Sequence, residues 1–234
     1  MTLNRDLKIK LENQGADFIR FVNISGLTES QNKDYPHAVL FGLHLSPAYL
    51  EKVTRTPDYV KNMVRHQSMD EDEFNFKEQR TDQMADEMAA RLRTKGYSAY
   101  SQSETNIEAT GYYNKETRTT PLPHKTIAGL AGLGWIGKHN LLVTREYGSA
   151  VSMCSVLTDA PLDTVSQDPL PCQCGKCRIC QDACPVDAIK GRTWSPESSR
   201  DDLVDVYSCT TCLMCMVLCP WTQQYMRSGK NPHS

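Results

Sequence analysis

Two cysteine-rich strings of identical spacing stand near the C-terminal end of this 234-residue sequence. Each reads C-x2-C-x2-C-x3-C-P, the pattern of bacterial ferredoxins that carry two 4Fe–4S clusters. Closely spaced thiolates can surround three corners of one cubane, and the proline after the fourth cysteine turns the chain away. The cysteines of the two strings are Cys174, Cys177, Cys180, Cys184, Cys209, Cys212, Cys215 and Cys219. The spacing therefore predicts two 4Fe–4S clusters, and with them electron transfer or reductive chemistry.

The predicted ligand sets are crossed, because the fourth cysteine of such a string binds the cluster of the other string. We expect Cys219 to join the first three cysteines of the first string, and Cys184 to join the first three of the second. Zinc is the alternative, but structural zinc sites usually use paired C-x2-C hooks. Disulfides fit poorly with the cytoplasmic location that we expect, since the sequence shows neither an apolar signal-peptide core nor a membrane span.

Two cysteines lie outside the repeated spacing. Cys154 falls in an apolar strand pattern and is expected to be a buried core thiol. Cys172 precedes Cys174 by two residues, so it is either a spare thiol or a replacement for Cys174 as a ligand. The repeated spacing favours Cys174.

Composition and charge indicate a soluble globular protein with 39% hydrophobic and 23% charged residues. The formal net charge of −2 argues against a generally basic nucleic-acid binder. No cysteine precedes Cys154, and residues 160–171 are rich in Pro, Asp and Ser. We therefore predict an α/β domain over residues 1–165 and a ferredoxin-like domain over residues 166–234.

The first domain has the periodicity of a mixed α/β structure. The spacing of Leu3, Leu7 and Leu11 predicts a helix that ends at Gly15. A long helix is predicted over residues 76–95, with an apolar stripe for core packing made of Met84, Ala85, Met88, Ala89 and Leu92. Residues 102–118 are predicted to be a loop, and residues 124–135 a short helix that runs into a Gly-rich turn. Strands are predicted at residues 17–24, 37–45, 97–101, 139–144 and 149–158.

The segment LPHKTIAGLAGLGWIGKHNLLVTREYGSAVSMCSVLTDAPL, with CGKCRICQDACPVDAIKGRTW and CTTCLMCMVLCPW after it, resembles the epoxyqueuosine-reductase-like proteins, which are relatives of the reductive dehalogenases. The resemblance is strong over residues 122–221. It implies an α/β (α+β) fold in which a nitroreductase-like cobalamin-binding domain precedes a double 4Fe–4S domain. Members of the family reduce a corrinoid cobalt through the clusters, and the low-valent cobalt performs the substrate chemistry.

The resemblance also implies a set of cofactor-binding residues around the Gly-rich turn, which comprises residues 132–138. Glycines permit close backbone approach to a large planar ligand, Trp135 would supply a flat apolar wall, and Lys138 would meet a ligand carboxamide or phosphate. A tight helix-to-strand turn with a core tryptophan is the alternative. His124 is the candidate catalytic residue, either as a proton donor, since a histidine of pKa near ~6.5 can supply a proton at neutral pH, or by approaching the cobalt. A helix-start histidine that is hydrogen-bonded to backbone is the alternative. The expected cofactor-binding residues are His124, Lys125, Gly132, Gly134, Trp135, Gly137, Lys138 and Ser149.

The sequence departs from the longer members of this family. Arg118 stands where epoxyqueuosine reductases have an acidic proton donor, and His124-Lys125 stands where they have a Glu–Arg/Lys pair. Residues 171–234 contain 7 Lys and Arg against 6 Asp and Glu, so tight tRNA binding is not supported. The sequence thus looks like a short branch of the family that does not share the tRNA substrate.

Two functional hypotheses follow. The first is an iron–sulfur reductase that passes electrons to a bound cobalamin for chemistry on a small substrate. The second is an electron-transfer protein that donates low-potential electrons to a partner, such as a corrinoid protein, without a substrate of its own. A flavin in place of the corrinoid is a third and lesser hypothesis. In either case we expect an electron donor such as ferredoxin or flavodoxin, and no membrane association.

Overall fold

The structure is a computed structural model that describes residues 2–195 and 198–228. The chain forms two compact units. The first unit consists of Met1–Leu43, Lys77–Gly132 and Ser152–Asp168, and the second of His44–Phe76, Leu133–Val151 and Pro169–Ser234. This division differs from the predicted single boundary after residue 165, because two earlier segments pack with the cysteine-rich region.

Short helices alternate with strands along the described chain. In chain order the elements are α1 (Leu3–Asn13), β1 (Phe18–Asn23), α2 (Glu29–Asn32), β2 (His37–His44), α3 (Pro47–Arg55), α4 (Tyr59–Arg65), α5 (Glu73–Thr94), β3 (Ala99–Ser101), α6 (Glu104–Ala109), α7 (His124–Leu130), β4 (Gly134–Ile136), β5 (Leu142–Thr144), β6 (Val151–Thr158), α8 (Ile179–Asp182), α9 (Met214–Val217) and α10 (Pro220–Ser228). Single 3₁₀ turns occur at Met69–Glu71 and Arg200–Asp202.

A four-stranded sheet in the order β1-β2-β6-β3 organises the first unit. Strands β1 and β2 are antiparallel, with Phe18 opposite Gly42, and β3 is antiparallel to β6, with Ala99 opposite Thr158. Strand β2 is almost entirely buried, which explains its nearly continuous apolar sequence.

The core of the first unit lies between this sheet and helices α1 and α5. The predicted stripe of α5 is confirmed as core packing, because each of its five residues is at most 1% exposed. The stripe meets Leu7 and Leu11 of α1 and Phe41 of β2 in one apolar cluster. Cys154 lies in the same cluster and is 0% exposed, so the prediction of a buried core thiol is also confirmed.

The ends of the first helices follow from local sequence. The Thr2 hydroxyl caps α1 by accepting a hydrogen bond from the Arg5 amide. Gly15 follows that helix with φ of 94°, a left-handed conformation that glycine adopts without strain. Ser46 caps α3, and Pro47 occupies its first turn, where a missing N–H costs nothing.

The second unit contains a small hairpin and several short helices. Strands β4 and β5 form the hairpin, with Trp135 opposite Val143. Helix α3 packs against α9 and α10. The Tyr225 hydroxyl of α10 donates a 3.0 Å hydrogen bond to the Leu45 carbonyl just before α3.

Most predicted elements occur close to their expected positions. The long helix begins three residues earlier than predicted, at Glu73. The predicted loop over residues 102–118 is partly wrong, because α6 occupies Glu104–Ala109 within it. Across residues 2–195 and 198–228, every helix is too short or too polar to cross a membrane.

Gly42 provides a test of the sheet packing. A Cβ atom at this position would overlap the Ser152 carbonyl oxygen and the Phe18 ring. Gly42→Ala should therefore lower the free energy of unfolding by about 1–3 kcal/mol, measured from the urea midpoint. Gly26→Ala is the control, because a Cβ there meets nothing within 4 Å, and its effect should stay within about 0.5 kcal/mol. Equal effects of the two substitutions would contradict this packing.

Candidate functional site

The two cysteine strings are joined by a short antiparallel contact in the second unit. Ile189 forms a β-bridge with Val204. The Lys190 amide donates a 2.8 Å hydrogen bond to the Leu203 carbonyl, and the Asp205 amide donates one of the same length to the Ala188 carbonyl. Ile189 and Val204 belong to a small buried cluster with Cys180, against which Cys184 and Cys215 pack. Cysteines from both strings therefore surround one apolar centre.

The first thiol group combines three cysteines of the first string with Cys219, the last cysteine of the second string. Its members are Cys174, Cys177, Cys180 and Cys219. Burial, together with the negative charges of Cys174, Cys177 and Cys219, raises the pKa of Cys180 to about 11. Burial also raises the pKa of Cys219, and the charges of Cys174 and Cys177 add to that effect. Coulombic effects of this kind require short distances, so the structure brings Cys219 next to the first string.

A second group forms around Cys215. Burial, together with the charges of Cys212 and Cys209, raises the pKa of this thiol to about 12. Smaller contributions come from Cys180 and from Cys184, the last cysteine of the first string. Cys184 is thus close to the second string, while its own sulfur accepts a 3.2 Å hydrogen bond from the Ala188 amide.

The loops that carry these thiols contain left-handed residues. Gly175 follows Cys174 with φ of 50°, which suits glycine. In the second string, Thr211 and Leu213 have φ values of 54° and 66°. This conformation costs energy for residues with a Cβ, and such strain is concentrated at functional sites. The second string therefore has a strained backbone conformation at two positions between its cysteines.

The choice between Cys172 and Cys174 is informed by a contact between them. A hydrogen bond from the Cys172 thiol lowers the pKa of Cys174 to about 6, although burial acts in the opposite direction. Interactions with Lys138 and Trp135 also lower this pKa. The same bond raises the pKa of Cys172. Of the pair, Cys174 is the more readily ionised thiol, and a thiolate is the form that binds metal.

All ten cysteines are free thiols in the structure. Within the described residues, no three His, Cys, Asp or Glu side chains are close enough together to hold a single metal ion. Thiolates around one Zn²⁺ would lie about 3.8 Å apart, given a Zn–S bond of about 2.3 Å. Within the described residues, the thiols are therefore not drawn together as a single zinc ion would require.

The β4–β5 hairpin packs against both chain segments of the first thiol group. Trp135 of β4 is 2% exposed, and its ring meets the ring of Trp221 edge-on with centroids 4.9 Å apart. Trp221 follows Cys219 by two residues. Protein atoms therefore enclose the Trp135 ring, and its contact with a corrinoid stays a prediction.

Lys138 anchors the hairpin to the first cysteine loop. Its ammonium donates hydrogen bonds of 2.8 Å to the Gly175 carbonyl and 3.0 Å to the Cys177 carbonyl. The side chain is buried at 8% exposure. Two of its three donor hydrogens are thus used on the loop, rather than on a ligand carboxamide or phosphate as expected.

The glycines of this region approach protein backbone and side chains. A Cβ on Gly134 would overlap the Val143 carbonyl across the hairpin, and one on Gly137 would lie 2.7 Å from the His139 ring. Gly132 belongs to the first unit, where a Cβ would overlap the Gln167 side chain. The turn needs its glycines for internal packing, as the alternative interpretation of a tight turn with a core tryptophan predicts.

Ser149 connects the hairpin region to helix α10. Its amide donates a 3.0 Å hydrogen bond to the Thr222 hydroxyl, and its own hydroxyl lies 3.1 Å from Nε2 of His139. The Leu141 amide donates to Nδ1 of that ring, so Nε2 carries the proton and donates to Ser149. The expected cofactor-binding serine is therefore buried in a hydrogen-bonded network next to Cys219.

His124 and Lys125 begin helix α7 in the first unit, and both are half-buried. The side-chain amide of Gln102 donates a 2.9 Å hydrogen bond to the Leu122 carbonyl, which fixes its oxygen as the acceptor for the Ser155 hydroxyl at 2.6 Å. Ser155 Oγ then accepts the 2.9 Å hydrogen bond from Nδ1–H of His124. These hydrogen bonds from His124 through Ser155 to Gln102 form the His124 relay. Because the ring proton is on Nδ1, Nε2 of His124 is unprotonated.

Burial lowers the pKa of His124 to about 4. The ring is therefore neutral at neutral pH, and its free lone pair makes it a base or a ligand. This corrects the expectation that His124 supplies a proton at neutral pH from an ordinary histidine pKa.

Sequence reasoning missed Gln102, Ser155, Trp221 and Thr222. Gln102 and Ser155 are 53 positions apart, so only the folded sheet brings them together. Trp221 and Thr222 follow the Cys-Pro end of the second string directly, and that adjacency was the available signal.

The fold is shared with two kinds of enzyme. Over 94% of this chain and 65% of the other, the structure matches epoxyqueuosine reductase bound to an epoxyqueuosine-modified tRNA stem loop, with a TM-score of 0.56 and 16% identity. It matches a catabolic reductive dehalogenase over 97% of this chain and 34% of the other, with a TM-score of 0.62 and 21% identity. Another matched reductive dehalogenase structure, with a TM-score of 0.59 and 20% identity, is described in terms of B12-dependent dehalogenation.

The sequence is similar to curated epoxyqueuosine reductases, as the resemblance predicted. The enzyme of Synechococcus sp. strain CC9605 is 33% identical over 129 residues, or 48% of this chain and 40% of the relative. That of Gloeobacter violaceus is 48% identical over 71 residues, or 30% of this chain and 22% of the relative. The aligned parts thus span less than half of these relatives. No family model matches the chain.

The His124 relay makes a prediction about pH. The unfolded chain binds a proton at this ring near pH ~6.5, whereas the folded protein binds it only near pH 4. Between these values the unfolded state holds more protons, so the free energy of unfolding should fall as the pH is lowered. His124→Gln should remove this part of the pH dependence in urea titrations.

Nitrogen NMR of the histidine rings tests the tautomer directly. At neutral pH the His124 ring should be neutral with its proton on Nδ1, and Ser155→Ala should shift the population towards the Nε2–H form. A charged ring at neutral pH, or a tautomer that is insensitive to Ser155, would contradict the relay.

Proposed function

We propose that this chain is an iron–sulfur reductase that holds two 4Fe–4S clusters in its second unit and passes electrons to a corrinoid for reductive chemistry on a small substrate. The observation that carries the proposal is the grouping of the thiols. The Ile189–Val204 bridge joins the two strings, and Cys184 and Cys215 pack against the buried cluster that contains Cys180. Crossed ligand sets require the two strings to lie this close together.

The donor sets suit clusters of this kind. Cys174, Cys177, Cys180 and Cys219 would hold the first cluster, and Cys209, Cys212, Cys215 and Cys184 would hold the second. Each set offers four thiolates, the number that a 4Fe–4S cluster requires. When bound, such clusters supply one-electron reduction at low potential.

The chain's own residues give the first set a fixed and dry environment. Trp135 and Trp221 cover one side with apolar surface, and Lys138 fixes the loop backbone between Cys174 and Cys177. A buried lysine near thiolates also compensates part of their negative charge. These contacts stabilise the loops in one conformation, so electron transfer requires little rearrangement.

His124 remains the candidate reactive side chain, now in its neutral form. The relay through Ser155 orients the ring and directs the lone pair of Nε2 outward from the relay. A neutral imidazole of this kind can accept a proton or approach a metal centre. Lys125, the next residue of α7, would provide a positive charge for the same bound group.

The corrinoid part of the proposal is supported by the fold match to a dehalogenase described as B12-dependent. Trp135, Lys138 and Ser149 do not support it, since they pack around the cysteine segments. We therefore place no corrinoid contact on these three residues and leave His124 and Lys125 as the candidates.

An electron-transfer protein without its own substrate is the second candidate function. The observation that favours it is that the Gly-rich turn packs against protein atoms. Such a protein would pass electrons from a donor such as ferredoxin or flavodoxin to a partner corrinoid protein. A tRNA substrate is not proposed, because the cysteine-rich region has a nearly balanced charge.

Paired cysteine substitutions test the crossed ligand sets. Cys177→Ser with Cys219→Ser removes two ligands of the same cluster, so anaerobically reconstituted protein should keep about four irons per chain. Cys177→Ser with Cys184→Ser removes one ligand from each cluster and should lose most of the iron. Iron and acid-labile sulfide analysis measures both. The reverse ranking would show that each string holds its own cluster.

Corrinoid binding distinguishes the two candidate functions. Reconstituted protein is mixed with cobalamin under anaerobic conditions, desalted and examined by visible spectroscopy. The reductase proposal predicts retained corrinoid bands, which His124→Ala should weaken while cluster absorption is unchanged. Cluster absorption alone after desalting would favour the electron-transfer protein.

A further inference from the structure

The buried indole nitrogen of Trp135 has no hydrogen-bond partner within the described part of the chain. An unpaired N–H group in a protein interior costs free energy, so native structures nearly always provide an acceptor. Trp135 is also among the largest fully enclosed side chains of the chain. Its orphaned donor therefore points to an acceptor that is completed when a group binds beside it.

The surroundings of Trp135 identify the direction of that acceptor. Lys138 binds the carbonyls of Gly175 and Cys177 from the same hairpin, so β4 lies against the first cysteine loop. The ring of Trp135 contacts Trp221, next to Cys219. These two segments carry the ligands that we assign to the first cluster.

Sulfur at the Cys174 corner is the acceptor that the position fits. Lys138, three positions after Trp135, donates a hydrogen bond to the carbonyl of Gly175, the residue that follows Cys174. In a cluster, both the cysteine sulfur and the inorganic sulfide at this corner carry negative charge and accept hydrogen bonds.

The following inference rests on the proposed function. We propose that the Trp135 indole N–H donates a hydrogen bond to sulfur at the Cys174 corner of the first 4Fe–4S cluster. This hydrogen bond raises the reduction potential of that cluster. Hydrogen bonds to cluster sulfurs stabilise the more negative, reduced state. Trp135 is thus a positioning residue that tunes the first cluster relative to the second.

Trp135→Phe tests the proposal because it keeps an aromatic ring against Trp221 and removes the N–H. The variant should keep about eight irons, while the midpoint potential of one cluster becomes more negative. We expect a loss of about tenfold in the equilibrium constant for its reduction, or about 59 mV for one electron. Potentiometric titration followed by EPR measures this shift.

The affected cluster can be assigned in single-cluster backgrounds. In Cys177→Ser/Cys219→Ser protein, which keeps only the second cluster, Trp135→Phe should have no effect on the potential. A shift in this background, or unchanged potentials in a Trp135→Phe protein that holds eight irons, overturns the proposal while the proposed function stands. Wild-type protein that assembles no 4Fe–4S cluster overturns both.

Wild-type protein provides a measurement that does not depend on the variant's folding. With tryptophan labelled by ¹⁵N in the indole ring, pulsed EPR of the reduced first cluster should detect a weakly coupled nitrogen. The absence of this coupling overturns the proposal, even if Trp135→Phe protein fails to assemble its clusters.

Discussion

The packing of one short hairpin on two distant cysteine segments is the constraint on which the second unit depends. Trp135 meets Trp221 beside Cys219, and Lys138 holds the carbonyls of the first cysteine loop. Residues 133–151 therefore form part of the wall around the first thiol group, although they lie well before the cysteine strings. A buried ammonium is costly unless its hydrogen bonds are satisfied, so the loop and the hairpin stabilise one another.

This arrangement changes the meaning of the Gly-rich turn. Its glycines allow backbone and side chains to pack closely, and its tryptophan and lysine point into protein. The first unit, in contrast, positions His124 through the Gln102–Ser155 relay and keeps the ring neutral. Each unit thus fixes its candidate site residues through its own local hydrogen bonds.

The sequence predicts features whose causes are local. The cysteine spacing reflects the reach of a loop around a cubane, and the stripe of α5 reflects helical periodicity, so both could be read directly. Helix α3 was not predicted, although Ser46 and Pro47 form a standard helix start. The packing of residues 133–151 against the cysteine segments was not predictable, because it joins positions far apart in the chain. The low pKa of His124 also depends on burial that periodicity does not reveal.

The central claim is that the thiols enclose two iron–sulfur cubes. Mössbauer spectroscopy of protein reconstituted with ⁵⁷Fe under anaerobic conditions tests it most directly. The account predicts about eight irons per chain, all with the signature of 4Fe–4S clusters, and an equal amount of acid-labile sulfide. Mononuclear iron in tetrathiolate sites, or native protein that contains zinc in place of iron, would contradict it.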